Sequence, residues 1–199
     1  MHPVLAALGS TALIVGLAGC AGAPRSPDAP PAPATGTPPA SPATTSTARE
    51  AVANLASASA SLVSGRLVLV PMGRGVQLTG EIGGLQPGSS HGFHIHEKGD
   101  CSAADASSAG GHFNPAAQPH GRAGHGAHHA GDADNLVADA NGVARVDVHV
   151  DGVTLGGGAA NDIAGRAIVV HAAADDYSSQ PAGNAGARVA CGVIRVTAN

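Results

Sequence analysis

The sequence predicts an all-β domain, a sandwich or flattened barrel of about eight strands interrupted by two long loops. Three observations carry this. From about residue 49 onward, short β-branched runs that partly alternate apolar and polar residues recur between Gly, Pro or Asn-Gly punctuation. No segment keeps a 3.6-residue apolar period over the length of a helix. Two stretches rich in Gly, His and Asp, roughly 99–135 and 172–190, break the strand pattern. Stretches that long inside a compact domain usually carry function.

The strands follow in order. "AVANLAS" opens the domain, then "SLVSGRLVLVP" and "GVQLTGEIGGL", each closed by a Gly or Pro. "HGFHIHE" is the next run and leads into the first long loop. "NLVADANGVARVDVHV" contains Asn141-Gly142, a strong hairpin signal. "GRAIVVHA" precedes the second loop, and "CGVIRVT" closes the chain. Aromatic residues are only 2% of the 199 residues and there is no Trp. A core of Val, Leu, Ile and Ala buries little area per side chain, so a cross-link or a metal is expected to help hold the fold.

Ahead of the domain lie two segments of other composition. Residues 4–19, "VLAALGSTALIVGLAG", form an apolar run too short and too Gly-rich to span a membrane convincingly. It ends in "LAGC", which resembles a bacterial lipoprotein signal. That resemblance implies a signal peptide over 1–19, a lipid on Cys20, and an exported protein whose remaining cysteines meet an oxidising compartment. Residues 20–48 are rich in Pro, Ala, Ser and Thr and read as an extended tether, with the folded domain over 49–199. Ala21 after Cys20 implies export to the outer membrane, so the expected location is the periplasm, held there by a lipid anchor.

The histidines carry the chemistry. The chain has 11 of them, against 10 Lys and Arg together. His94 and His96 sit at alternate positions of a strand, hence on one face about 6.6 Å apart. The loop "GGHFNPAAQPHGRAGHGAHHAGD" adds His112, His120, His125, His128, His129 and Asp132. Imidazoles with a carboxylate and no thiolate suit a divalent ion such as zinc. "AIVVHAAADD" places His171 on another strand, followed by Asp175 and Asp176. Metal scavenging by a His-rich loop does not account for histidines on separate apolar strands.

Together, "GFHIHEKGDC", "GGHFNP", "HAGD", "VVHAAADD" and "GNAGARVACGVI", in this order, resemble the bacterial periplasmic copper–zinc superoxide dismutases over roughly residues 50–199. The resemblance implies an eight-stranded Greek-key barrel and an enzyme that dismutes superoxide, protecting the cell envelope. It implies one copper and one zinc ion per chain. Copper would be held by His94, His96, His112 and His171; zinc by His112, His120, His129 and Asp132, with His112 as the bridge. Asp175 would link a copper-ligand and a zinc-ligand histidine and fix their rings. Cys101 and Cys191 would form the intrachain disulfide, and Arg188 would be the active-site arginine. His112 would also exchange a proton during turnover.

The remaining candidates get plainer readings. His125 and His128 are expected at the surface, His91 and His149 as ordinary strand-end or surface histidines, and Asp176 as a loop carboxylate. The substrate is an anion and the net charge is −4, so attraction must be local, centred on Arg188. Lys98, the only lysine, is a second candidate for it. The same charge argues against a nucleic-acid partner. A non-catalytic metal-binding protein on this scaffold has no use for Arg188, and a copper-only variant none for His120, His129 and Asp132. The chain is expected as a monomer or a homodimer.

Overall fold

The structure, a computed structural model, describes residues 45–199. The expected signal segment, Cys20 and the tether up to residue 44 lie outside the described residues. Nine strands are present among those described: β1 (Glu50–Ser57), β2 (Ser64–Met72), β3 (Gly75–Gly83), β4 (Ser90–His91), β5 (Phe93–His96), β6 (Leu136–Val137), β7 (Ala144–Asp151), β8 (Ala167–His171) and β9 (Arg188–Ala198). The one helical element among them is a 3₁₀ turn, Ser107–Ala109. Seven strands form one curled antiparallel sheet in the order β5-β8-β9-β1-β2-β3-β7, and β4 pairs with β6 apart from it. β1, β2 and β3 form a meander, and the chain returns at β9 to lie beside β1, the Greek-key return.

Side-chain alternation builds the core. Leu67 and Leu69 of β2, Val76, Leu78 and Ile82 of β3, Phe93 and Ile95 of β5, and Ile168 and Val170 of β8 all enter one buried cluster. β8 is buried at every position because its other face, Ala167 and Val169, packs into a second cluster around Cys191, Ala106 and Ala109. That two-sided burial explains why "AIVV" reads as a continuous apolar run rather than an alternating one. The core positions of β5 and β8 leave His94, His96 and His171 on the opposite face, under the two long loops.

The all-β architecture is the expected one, and two details differ for physical reasons. The run "HGFHIHE" is split at Gly92, whose amide and carbonyl pair with Ala173 and His171, so β4 and β5 join different ladders. At Asn141-Gly142 the chain does turn tightly, with Gly142 N donating to Asp139 O at 3.1 Å. Its flanking strands nevertheless pair elsewhere, β6 with β4 and β7 with β3. Ahead of β1, the amides of Thr47 and Ala48 both donate to Leu155 O, and Ala48 is buried.

Candidate metal centre

Two groups of buried donors converge on the outer face of the barrel. His94, His96, His112 and His171 bring one ring nitrogen each within 4.8 Å of one another; ring nitrogens of His112, His120 and His129 and a carboxylate oxygen of Asp132 do the same. Strand pairing positions the first group. β5 pairs with β8 so that His94 faces Val169 and His96 faces Ala167, and His171 follows at the end of β8, beyond a register shift. The long loop between β5 and β6 lays His112 against His96 and Asp132 against His94 through isolated bridges. His112 is common to both groups, its ring centroid 4.0 Å from that of His94 and 5.3 Å from those of His120 and His129.

Each ring is oriented by its second nitrogen. Asp175 spans the two groups, Oδ2 lying 2.8 Å from His94 Nε2 and Oδ1 2.9 Å from His120 Nε2. His96 Nδ1 lies 3.0 Å from Gly110 O, and His171 Nδ1 3.2 Å from Gly186 O. These contacts leave His94 Nδ1, His96 Nε2, His112 Nε2, His120 Nδ1 and His171 Nε2 buried without a hydrogen-bond partner among the described residues. Buried polar atoms are rarely left so, and here five of them point into the two clusters.

A metal fits both places. In the second cluster, His112 Nδ1 and His129 Nδ1 lie 2.8 and 3.2 Å from Asp132 Oδ1, His120 Nδ1 lies 3.1 Å from Asp132 Oδ2, and His112 and His129 Nδ1 are 3.3 Å apart. A tetrahedral ion with ~2.05 Å bonds sets its ligands about 3.3 Å from one another, so this quartet has the spacing of a tetrahedral shell. Three imidazoles with one carboxylate suit zinc; four imidazoles suit copper.

The electrostatics favour ligation. Burial pushes His96 down to about 2 and His171 to about 3. It also lowers His94, against the opposing hydrogen bond to Asp175. These rings are therefore neutral at ordinary pH, the state a metal ligand needs. For Asp132, burial alone would raise the carboxyl, but the His112 contact and the amides of His129 and Gly121 outweigh it and hold the group well below the usual carboxylate range.

Arg188 stands beside the all-histidine group, and its charge lowers both His96 and His171. Its Nη1 donates to Ala106 O at 2.7 Å and its Nη2 to Gly110 O at 2.6 Å. Burial lowers its own pKa, with Asp105 opposing. The disulfide Cys101–Cys191 is formed across 90 residues and ties the loop carrying those two carbonyls to β9. A cavity of about 320 Å³ opens against His171, lined also by Gln180, Asn184, Ala185 and Gly186.

The other expected residues are placed as follows. His125 and His149 are exposed, His128 is half-buried, and Lys98 is exposed with its amide bonded to Ala109 O. Asp176 is exposed and holds the amides of Ser178 and Ser179. His91 ends β4, the strand-end placement expected as one alternative, and is buried, with Nδ1 2.8 Å from His171 O and Nε2 2.6 Å from Ser89 Oγ. The sequence also gave no sign of the supports under Asp175. Asn135 bonds the Asp175 amide through Oδ1 (2.8 Å) and the Asp175 carbonyl through Nδ2 (2.9 Å), while its own amide donates to Tyr177 Oη. Gly183, at φ 66°, leaves room for Asp175: a Cβ there would lie 1.8 Å from Oδ1. Arg166 stacks over Phe113 at 4.2 Å and donates to Glu97 O, bracing the neighbours of His112 and His96. These supports act through backbone groups or sit on unrelated loops, so no spacing in the sequence announces them.

A curled antiparallel barrel with four-histidine and three-histidine-plus-carboxylate clusters sharing one ring defines a copper- and zinc-dependent oxidoreductase. The chain belongs to the copper/zinc superoxide dismutase family, whose model matches residues 63–194. Members of this class dismute superoxide with copper and zinc as cofactors. Superoxide dismutase (Cu–Zn) 2 of Aquifex aeolicus is 44% identical over 136 residues, covering 67% of this chain and 80% of that protein. The Cu–Zn superoxide dismutase of Caulobacter vibrioides is 43% identical over 137 residues, covering 66% and 78%. Among solved structures, a double mutant of a SOD-like protein from Bacillus subtilis superposes with a TM-score of 0.66 at 37% identity, covering 72% of this chain and 96% of that one.

Proposed function

We propose that this chain dismutes superoxide to oxygen and hydrogen peroxide with one copper ion and one zinc ion joined through His112. His94, His96, His112 and His171 hold copper; His112, His120, His129 and Asp132 hold zinc. One observation carries the reading: His112 faces the two clusters with opposite ring nitrogens, Nδ1 2.8 Å from Asp132 Oδ1 and Nε2 buried without a partner. Bound there, copper supplies reversible one-electron exchange and zinc a fixed positive charge.

The chain's own residues do the rest. Arg188, seated by Ala106 O and Gly110 O, draws the superoxide anion toward the all-histidine cluster and holds it there. His112 takes up and releases a proton at Nε2, the atom that faces that cluster, and so delivers a proton to the product peroxide. Asp175 holds the His94 and His120 rings in the tautomers that turn a bare nitrogen to each cluster.

The reading extends to the place of action. A cleaved signal over 1–19, a lipid on Cys20 and a tether to residue 48 hold the enzyme in the periplasm, anchored to the outer membrane, where it shields the envelope from superoxide. The compositions of "LAGC" and of the Pro-rich stretch after it support this. It works as a monomer or a homodimer.

Elemental analysis of protein matured in the periplasm, paired with a superoxide-consumption assay on the same sample, tests the core of the proposal. One copper and one zinc per chain with fast consumption is the expected result. Full loading of both metals without consumption refutes it. Cys20→Ser should move the protein from the membrane to the soluble fraction.

A further inference from the structure

Among the described residues, four histidines have no place in the chemistry above: His91, His125, His128 and His149. Two of them line one groove of about 380 Å³, His128 on the loop that carries the zinc-cluster residues and His149 on β7. Asp134, Asp147 and Asp151 also line it. On β7, Asp147, His149 and Asp151 occupy successive outward positions, as the period of two requires, and all three are exposed. His128 Nδ1 is taken up by His129 O at 2.7 Å, which leaves Nε2 available. The groove thus offers borderline imidazole and hard carboxylate donors side by side, the chemistry of divalent-cation capture.

The groove also leads somewhere. In the His112–His120–His129–Asp132 cluster the side chains of His120 and Asp132 are 0% exposed and that of His112 is 2%, whereas that of His129 is 8%. Of the four cluster residues, His129 is thus the one nearest solvent. His128 is its chain neighbour, and Asp132 itself contributes to the groove lining. The loop above runs "GRAGHGA", where a Cβ at Gly124 or Gly126 would meet nothing within 4 Å, so little packing holds that stretch down. The groove donors do not form a retaining site. Among the described residues only the two buried clusters bring three or more donors within 4.8 Å of one another. Asp134 is paired with Arg122 and Asp147 with Gln77, exposed contacts that a cation can displace at small cost.

We propose that this groove is the loading route for zinc: His128, His149 and the Asp147 and Asp151 carboxylates capture a hydrated divalent ion and pass it to His129 and Asp132. The proposal rests on the assignment of zinc to that cluster. It is tested on metal-free, disulfide-bonded full chain mixed rapidly with zinc ion in the presence of a chromogenic zinc indicator. His128→Gln/His149→Gln and, separately, Asp147→Asn/Asp151→Asn are each expected to slow uptake on the order of tenfold. The final zinc stoichiometry, its equilibrium affinity and the superoxide consumption of the loaded protein should stay as in the unsubstituted chain. Uptake at the unsubstituted rate in both variants overturns the route. So does a loss of affinity in proportion to the rate, because the groove residues would then belong to the retaining site. If zinc binds equally well to the chain carrying His129→Ala and Asp132→Ala, the zinc assignment fails instead.

Discussion

Arg188 touches the protein through two backbone carbonyls, those of Ala106 and Gly110, and Gly110 O also lies 3.0 Å from His96 Nδ1. The guanidinium is fixed relative to a ring of the all-histidine cluster without belonging to the cluster. Arg188→Ala should therefore lower the rate of superoxide consumption about tenfold or more, the scale of electrostatic attraction and positioning in a cleft, with copper and zinc contents unchanged. Equal activity with full metal would remove Arg188 from the mechanism. The buried imidazoles set a pH dependence of a different kind. In the folded metal-free chain, burial holds His96 at about 2 and His171 at about 3, against the ordinary imidazole value of 6.5. Between those limits the unfolded chain binds more protons, so stability rises with pH there. The contribution is complete above about pH 6.5 and is lost as pH falls, by up to ~1.4 kcal/mol per pH unit for each ring. The thermal midpoint of the metal-free protein should drop steeply from pH 7 to pH 5; a flat profile would mean these rings protonate freely in the folded state.

At the scale of elements, the first long loop is held as a unit. The disulfide closes it onto β9, the 3₁₀ turn Ser107–Ala109 presents the carbonyls at its two ends to Arg188, and Arg166, just ahead of β8, braces Glu97 and Phe113. Cys101→Ser/Cys191→Ser removes a constraint over a 90-residue separation. In the chain-entropy model that is worth about 4–5 kcal/mol, an upper value. The urea midpoint should fall accordingly. Activity should fall as well at temperatures where the variant is still folded, because the Arg188 seat lies on the released loop. A variant that loses stability but keeps full activity when folded would show that the loop holds Arg188 without the cross-link.

At the scale of the whole molecule, the net charge of −4 opposes an anionic substrate while Arg188 and the metal charges attract it. Screening weakens both, and which wins fixes the sign of the salt effect. A charge at the base of a cleft is felt at short range, so the local attraction dominates, and superoxide consumption should slow as ionic strength rises. Arg188→Ala should flatten that dependence. A rate that climbs with salt in the unsubstituted enzyme would mean that global repulsion governs encounter.

The sequence by itself determined the all-β class, the two functional loops and the identity of the donors. Those properties depend on local pattern: alternation along a strand puts His94 and His96 on one face, and imidazoles with a carboxylate define the chemistry wherever they meet. Tertiary structure decided which atoms of those donors stay bare. Asp175, Gly110 and Gly186 each occupy one nitrogen of a ring supplied by a distant segment, and Asn135 and Gly183 decide whether Asp175 can reach. Tertiary structure likewise brought the three-residue face of β7 and His128 to one groove, and buried His91 beneath the His171 carbonyl. Contacts between segments 40 to 128 residues apart, such as Asn135 with Asp175 or Ser61 with Val189, leave no periodic trace in a single chain. They exist only once burial of the Val, Leu and Ile core has closed the barrel.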